Sequence, residues 1–412
     1  MYSLLFRLIP IFVICWVSNK YFRILSRIPM ITNQMKNIKS ENQIILLYLF
    51  ILLMSGCQHV TSPNESGKSE NHFFVGTYTD STSLGIYAGT LKGDSIFPLK
   101  LTAQTVNPSY LALSPDKHHL LAVNEINQNG SGTIESYKVL GDSLLFVARS
   151  TTGGAHPCFV SVNRDGYVMA ANYTGGNVGL LKIDQAGTLS PLLDIQQHIG
   201  HGVTPRQEAP HAHSAWFVPN ENEVISVDLG TDELLFSSID TVTQKFTSPD
   251  PRKYHMKSGD GPRHLAFHPT HSWIYVINEL SCTVTQLQKI NQNTYQKVRS
   301  VSTLPDGYQK PNTCADIHIS ANGKFLYASN RGHNSIAIYQ IDDLDGSLTL
   351  LDIQSTRGDG PRNFALTRDG SQLLVANQHS DNLVLFHRNQ ETGLLTFVSE
   401  VKAPNPVCIL FL

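Results

Sequence analysis

Gly261-Pro262-Arg263-His264, followed further on by Ile277-Asn278-Glu279, is the part of this 412-residue chain that best indicates its fold. A turn containing Pro begins a short apolar strand, a tight turn reverses the chain, and a second apolar strand ends at Asn278. The same order of turn, strand, turn and strand recurs elsewhere in the sequence. This stretch is therefore one copy of a repeated unit.

Related pairs of segments lie on both sides of this copy. They are Asn107-Pro108-Ser109-Tyr110 with Val123-Asn124-Glu125, His156-Pro157 with Ala171-Asn172-Tyr173, Ala209-Pro210 with Val227-Asp228-Leu229, Thr313-Cys314-Ala315-Asp316 with Ser329-Asn330-Arg331, and Gly360-Pro361-Arg362-Asn363 with Ala376-Asn377-Gln378. Asn405-Pro406-Val407 begins a last, truncated copy. The seven starts are 45 to 53 residues apart, and a period near 50 with four short strands is typical of a β-propeller blade.

The two ends of the repeated region complement each other. The apolar segments 73–77 and 85–89 lack a preceding first strand, and Val407 to Leu412 form a first strand with nothing after it. Joined, they make one complete blade and leave no exposed sheet edge. We therefore predict an all-β, seven-bladed β-propeller with four antiparallel strands per blade, closed by pairing the N- and C-terminal segments. The alternative, an open stack of seven units, leaves the complementary fragments unexplained.

Short turns such as Asn163-Arg164-Asp165-Gly166 join the first two strands of a unit as a hairpin. The Pro turn and the residues after the second strand must then lie at the same face of the disc, around the central channel. The charged and imidazole residues at these positions are Glu125, His156, His211, His213, Arg263, His264, Glu279, Asp316, Arg331 and Arg362.

This set predicts a site for an anionic ester or lactone. Arginine binds a carboxylate or phosphate through two N–H groups, and it stabilises the oxyanion that forms when water attacks a carbonyl. A nearby His or Glu removes a proton from that water. Structural alternatives stay open: Arg263 and Arg362 bridging neighbouring blades, Glu125 and Glu279 pairing with them, Asp316 capping a turn, His213 as a hydrogen-bonded turn residue.

A metal site is the other chemistry that the histidines suggest. His211 and His213, two residues apart, would lie on the same side of a strand. The neighbouring arginines repel a cation, so we predict that no metal binds.

The N-terminal part indicates export. An apolar run from Ile44 to Met54 follows Lys36 and Lys39 and ends in Ser55-Gly56-Cys57, the pattern of a bacterial lipoprotein signal. Eleven apolar residues are too few to span a bilayer, which needs about 20. We predict a lipoprotein signal peptide at 35–57 with Cys57 as the acylation site, a flexible tether at 58–71, and the propeller at 72–412.

Residues 1–34 add a second apolar run, and two tandem signals make little physical sense. We interpret 1–34 as an extension upstream of the true start at Met35; the alternative is a real extra membrane segment. The expected location is the bacterial cell envelope, periplasmic or outer surface, with the membrane touched through the lipid anchor only. The alternative is the cytoplasm, if the signal is not used.

Charge and cysteine content exclude further classes. Removing 1–56 takes six of the 31 Lys and Arg and one of the 33 Asp and Glu, which leaves a net charge of −7. That balance argues against a nucleic-acid partner. Cys158, Cys282, Cys314 and Cys408 form no CxxC pair, so we expect small buried hydrophobic residues rather than a zinc cluster.

The motifs together resemble the propeller-type 6-phosphogluconolactonase family, which also contains fungal carboxy-muconate lactonising enzymes. They are the segments 75–79, 210–213, 261–264, 278–279, 315–320, 327–333, 360–364 and 405–408. The resemblance implies hydrolysis of 6-phospho-D-glucono-1,5-lactone without metal or cofactor. It places the active site on His213, Arg263, Glu279 and Arg331, with His213 or Glu279 as the base and the arginines holding the anion and oxyanion.

The remaining mouth residues are expected to bind substrate: His156, His211, His264, Asp316, Arg362 and Glu125. The partner is then a small anionic sugar lactone, bound by a monomer or weak dimer. A phosphorylated sugar lactone is a cytoplasmic metabolite, whereas this chain carries an export signal, so an unphosphorylated lactone is an alternative. A lactone-forming cycloisomerase acting on an unsaturated diacid and a non-catalytic surface-binding propeller are the rival functions.

Overall fold

The computed structural model describes residues 70–248, 252–291 and 294–412. Seven antiparallel sheets form the blades of a propeller, as predicted. The innermost strand of each blade contacts the innermost strands of both neighbouring blades, and the last blade contacts the first, so the ring is closed.

The blades are numbered by the chain order of their innermost strands. From the centre outward, blade 1 has Leu111–Leu113, His119–Gln128, Ser131–Leu140 and Ser143–Thr151; blade 2 has Pro157–Val162, Tyr167–Asn172, Asn177–Lys182 and Asp194–Gln197; blade 3 has Ala212–Phe217, Val224–Asp228, Glu233–Ser237 and Arg252–His255; blade 4 has Pro262–Phe267, Trp273–Asn278, Thr283–Asn291 and Thr294–Ser302.

The other three blades follow the same order. Blade 5 has Thr313–Ile319, Phe325–Arg331, Ser335–Ile341 and Leu348–Ser355; blade 6 has Pro361–Leu366, Gln372–Asn377, Asn382–Arg388 and Leu395–Lys402; blade 7 has Pro406–Phe411, Glu70–Thr77 and Gly85–Lys92, with Ser95–Ile96 and Lys100–Gln104 both paired to the last of these. A small hairpin, Ile239–Asp240 with Lys245–Phe246, and a 3-10 helix, Pro205–Gln207, interrupt the pattern.

Blade 7 closes the ring by joining the two ends of the chain. Pro406–Phe411 pairs antiparallel with Glu70–Thr77, in the register Phe73 with Phe411 and Val75 with Ile409. The strand Glu70–Thr77, the first in chain order, begins two residues before the predicted start of the domain, because Glu70 and Asn71 pair with Lys92 and Leu91.

The core lies between adjacent blades. The second strands are buried along their whole length in blades 2, 3, 4 and 6, and up to Asn330 in blade 5, because both of their faces are covered by neighbouring sheets. Two buried tyrosines also bond to the next blade: Tyr275 donates to the Gly346 carbonyl at 2.7 Å and Tyr327 to the Gly393 carbonyl at 2.8 Å. The four cysteines of the described residues are free, and all four are buried, as predicted.

The Asn at the end of the second strand of blades 2, 5 and 6 has a structural reason. Its side-chain amide donates to the carbonyl of the Thr that follows the outer strand of the preceding blade: Asn172 to Thr152 at 3.0 Å, Asn330 to Thr303 at 2.8 Å. Blade 3 replaces this pair by Asp228, whose carboxylate lies 2.7 Å from His198 Nδ1. These bonds fix the blades to one another at one face of the disc.

That face, where the innermost strands begin and the second strands end, is called the mouth below. The pairing of Pro262 with Asn278, and of Pro157 with Asn172, confirms that the Pro turns and the second-strand ends meet there. In several blades the pairing of the first two strands shifts register directly after this first pair. The unpaired residues are Cys158, His213, Arg263 and Arg362. Such a β-bulge re-aims a side chain out of the ladder, and three of these four residues were predicted site residues.

The predicted extension at 1–34, the signal peptide with Cys57, and most of the tether lie outside the described residues. Over the part of the chain that the structure describes, no helix has the length and apolar character needed to cross a bilayer.

Candidate active site

Glu279 occupies the centre of a cluster of arginines at the mouth. Its carboxylate oxygens lie 3.1 Å from Arg263 Nε, 2.9 Å from Arg331 Nη2 and 3.0 Å from Arg206 Nη2. Burial alone raises the pKa of a carboxyl group, but Arg331, Arg263 and Arg206 outweigh burial and lower the pKa of Glu279 to about 2. Glu279 is therefore ionised at neutral pH and is a weak proton acceptor.

Arg263 and Arg331 each donate a hydrogen bond to a main-chain carbonyl of the innermost strand of blade 5. Arg263 Nη1 donates to the Ala315 carbonyl at 2.5 Å, and Arg331 Nη2 donates to the Cys314 carbonyl at 2.8 Å. Arg263 thus bridges blades 4 and 5 as well as facing Glu279. Burial, together with the neighbouring guanidinium groups, lowers the pKa of Arg263 to about 10, so it stays charged at neutral pH.

His213 lies beside this cluster as a buried, uncharged imidazole. Burial, followed by the positive charge of Arg263 and the proximity of His264, holds the pKa of His213 well below its usual 6.5. Its ring packs edge-on against Tyr173 and His264, with centroids 5.6 and 5.4 Å away. Cys158 Sγ lies 3.7 Å from Nδ1. At pH 7 the imidazole is neutral and can accept a proton.

Arg362 and Glu125 are joined through a tyrosine rather than paired directly. Arg362 Nη2 donates to the Tyr78 hydroxyl at 2.7 Å, and that hydroxyl donates to Glu125 Oε2 at 2.8 Å. Arg362 also lies over the Tyr78 ring, 5.1 Å from its centroid. The chain of contacts bridges blades 6, 7 and 1 across the mouth, so Arg362 combines a structural role with a position at the site.

His264 and Asp316 form a buried network beneath the cluster. His264 Nδ1 lies 3.0 Å from Asp316 Oδ1, and His318 and Asn363 bond to the second Asp316 oxygen. Burial and Arg263 lower the pKa of His264 to about 4. Burial opposes ionisation of Asp316, but His318 and His264 prevail and lower its pKa. Asp316 caps no turn; it ties together blades 4, 5 and 6.

The two other predicted histidines lie on the blade 2 side of the mouth. His211 stacks on Tyr173 with centroids 4.4 Å apart, and its Nδ1 lies 3.1 Å from the Tyr173 carbonyl. His156 has a left-handed backbone, with φ +53°, and its Nδ1 contacts the Thr174 hydroxyl at 2.8 Å. Their roles in substrate binding, like those of the other mouth residues, stay predictions.

Sequence reasoning missed three residues of the site. Tyr78 and Tyr173 occupy the repeat position of Glu279, directly after the end of a second strand, and could have been found from the repeat. Arg206 belongs to the loop between blades 2 and 3, outside the repeat, so only the structure shows that it reaches Glu279.

The arrangement is suited to holding anions. Guanidinium groups surround an ionised carboxylate, and a neutral imidazole lies next to them. Within the described ranges, no group of three or more His, Cys, Asp or Glu residues is placed to hold a metal ion. The cluster around Glu279 thus offers a ligand guanidinium N–H donors beside a neutral imidazole.

This fold and site define the class of protein: the chain belongs to the lactonase family of seven-bladed β-propellers, whose family model matches residues 72–411. Among individual relatives, it is 35% identical to the 6-phosphogluconolactonase of Bacillus subtilis (strain 168) over 347 residues, which are 82% of this chain and 97% of that protein. It is 33% identical to the 6-phosphogluconolactonase of Formosa agariphila, over 78% of this chain and 94% of that protein.

The chain is also similar to a solved structure, in both fold and sequence. The periplasmic gluconolactonase of Pseudomonas aeruginosa superposes with a TM-score of 0.79 at 30% identity, covering 84% of this chain and 99% of that one.

Proposed function

We propose that this protein hydrolyses a glucono-1,5-lactone, with 6-phospho-D-glucono-1,5-lactone as the principal substrate and 6-phosphogluconate as the product. The observation that carries the proposal is the convergence of Arg206, Arg263, Arg331 and the neutral His213 around Glu279 in a member of the lactonase family. Two relatives are named 6-phosphogluconolactonase and a third is a periplasmic gluconolactonase, which supports a sugar lactone in either form.

In the proposed reaction, His213 is the general base. Water attacks the lactone carbonyl carbon while His213 takes a proton from that water. Glu279 is the weaker candidate because its three cationic partners hold its carboxylate in the ionised form with a pKa of about 2. Its role is to keep Arg263, Arg331 and Arg206 in place.

Arg263 and Arg331 stabilise the oxyanion of the tetrahedral intermediate. Each guanidinium has five N–H donors, and main-chain carbonyls of blade 5 take one from each. When the intermediate collapses, the bond between the carbonyl carbon and the ring oxygen breaks, and the protonated His213 returns its proton to the ring oxygen, which becomes a hydroxyl. The carboxylic acid so formed then releases its proton to water. The product carboxylate then faces the same arginines.

Acid release tests this function. Purified residues 58–412 would be mixed with gluconolactone or with its 6-phosphate, and titrated at constant pH against the rate in buffer alone. Acceleration of at least one substrate, lost in folded Arg263→Ala and Arg331→Ala variants, is the expected result. Activity that survives both changes would mean that the site is wrong. No acceleration of either lactone would favour a binding propeller or a cycloisomerase of unsaturated diacids.

A further inference from the structure

Arg206 supplies a polar group that the repeat leaves out. At the repeat position of Glu279, blade 3 presents Leu229, whereas the other blades present Tyr78, Glu125, Tyr173, Arg331 and Gln378. Arg206 crosses this gap from the loop between blades 2 and 3. Its Nη2 donates to the Tyr173 hydroxyl of blade 2 and to Glu279 Oε1 of blade 4, each at 3.0 Å.

The loop that carries Arg206 is anchored at the same gap. Gln207 is fully buried, and its Nε2 donates to the Leu229 carbonyl at 2.9 Å. The Gln207 carbonyl in turn accepts a bond from the Gly202 amide at 2.9 Å. The backbone of Arg206 is therefore held in place, while its side chain projects over blade 3.

Arg206 differs from the other guanidinium groups around Glu279 in its exposure. Its side chain is 52% exposed, against 3% for Arg263 and 16% for Arg331. The latter two are anchored to main-chain carbonyls, whereas the bonds that the structure gives Arg206 go to two side-chain oxygens. Arg206 is thus the most exposed of the three guanidinium groups on Glu279, and it can turn toward a ligand at the cost of two polar contacts.

The charge balance of the mouth favours an anion at this place. Among the described residues, four guanidinium groups, those of Arg206, Arg263, Arg331 and Arg362, face the carboxylates Glu125 and Glu279, and the ionised Asp316 lies beneath them near Arg263. Glu279 is already shared by three of the four. The guanidinium groups therefore outnumber these carboxylates, and the excess positive charge, at a partly water-excluded site, is offset when an anionic substituent binds.

We propose that Arg206 is a specificity-determining residue that binds an anionic substituent of the substrate, away from the lactone carbonyl, and so selects a charged lactone over a neutral one. The identity of the substrate in this inference rests on the proposed lactonase function. The predicted preference of Arg206 for a charged ligand does not depend on catalysis. It assigns carbonyl chemistry to the buried arginines and recognition of the charged substituent to the exposed one.

Arg206→Gln tests the assignment because it keeps a hydrogen-bonding group and removes the charge. The expected KM for 6-phosphogluconolactone rises tenfold or more with little change in kcat, and the kinetic constants for gluconolactone stay within twofold. Arg206→Lys, which keeps the charge without the planar fork, should lie between. Arg299→Gln is the matched control, since Arg299 is a half-exposed arginine paired to Asp345 in a similar way, Nη2 to Oδ2 at 3.0 Å. An equal loss with both lactones would show a structural role and overturn the inference.

Binding of the unreactive products separates the two proposals. Titration calorimetry should show that the wild-type protein binds 6-phosphogluconate more tightly than gluconate, and that Arg206→Gln loses the preference. A preference that depends on Arg206 in a protein that hydrolyses neither lactone contradicts the proposed function alone. Turnover without such a preference contradicts the role of Arg206 alone, and neither binding nor turnover contradicts both.

Discussion

Replacing Glu279 by Gln removes the one negative charge that Arg206, Arg263 and Arg331 share. The side chain keeps its size, so the packing of blade 4 is preserved and the change is electrostatic. The largest cost falls on the charge of Arg263, because its side chain is 3% exposed and water cannot replace the lost carboxylate.

The size of the effect follows from two routes that agree. The pKa of Glu279 falls from an ordinary 4.5 to about 2, and since a tenfold change in proton affinity corresponds to about 1.4 kcal/mol, ionised Glu279 stabilises the fold by about 3 kcal/mol. Removing one partner of a buried ion pair costs about 3–5 kcal/mol. We expect Glu279→Gln to lower the free energy of unfolding by about 3 kcal/mol at pH 7.

The pH dependence of this difference has a definite sign. The folded-state pKa lies below the unfolded-state value, so the contribution of Glu279 is complete above about pH 4.5 and is lost as pH falls toward 2. The difference between wild type and variant should be constant at pH 6–8 and shrink steadily below pH 4.5.

Urea unfolding followed by the fluorescence of Trp216 and Trp273 measures the difference. Glu223→Gln is the matched control: Glu223 is a buried glutamate paired to Arg252 and Lys289 at the opposite edge of blade 3. That variant should lose stability yet keep lactone turnover, whereas Glu279→Gln should lose both. A Glu279→Gln protein as stable as wild type at pH 7, or a difference that does not change down to pH 2.5, would show that ionised Glu279 does not stabilise the fold.

Three further outcomes are expected. His213→Gln should lower kcat/KM by about 10²–10⁴, the usual contribution of a general base. The pH profile of wild-type kcat/KM, corrected for spontaneous hydrolysis, should be flat from pH 6 to 8 because the pKa of His213 lies well below 6.5. A fall in kcat/KM on the acid side centred at pH 6.5 or above would contradict this. Deleting residues 406–412 should expose the edge of Glu70–Thr77 and cause association, visible by size-exclusion chromatography, whereas a monomer with an unchanged unfolding midpoint would show that closure is dispensable. Incubation with EDTA should leave the rate of lactone hydrolysis unchanged, and a loss restored by a divalent cation would reveal a metal requirement.

The fold could be predicted because its determinants are local. Alternating apolar strands, Pro turns and Asp-Gly turns are each set within a few residues, and their period of about 50 residues makes the number of blades countable. The hairpin geometry then places Arg263, Glu279, Arg331 and His213 at one face without any knowledge of side-chain packing. The pairing of Pro262 with Asn278 agrees with this hairpin geometry.

Local sequence patterns were therefore enough to predict the propeller, its closure and the gathering of arginine, histidine and glutamate residues at one mouth. Three features could be seen only in the folded chain: which carboxylate is surrounded by cations, the link from Arg362 through Tyr78 to Glu125, and the reach of Arg206 to Glu279 from a loop outside the repeat. The physical reason is distance: ionisation and hydrogen bonding depend on separations of 3 to 5 Å between groups far apart in the chain, and no local pattern encodes those separations.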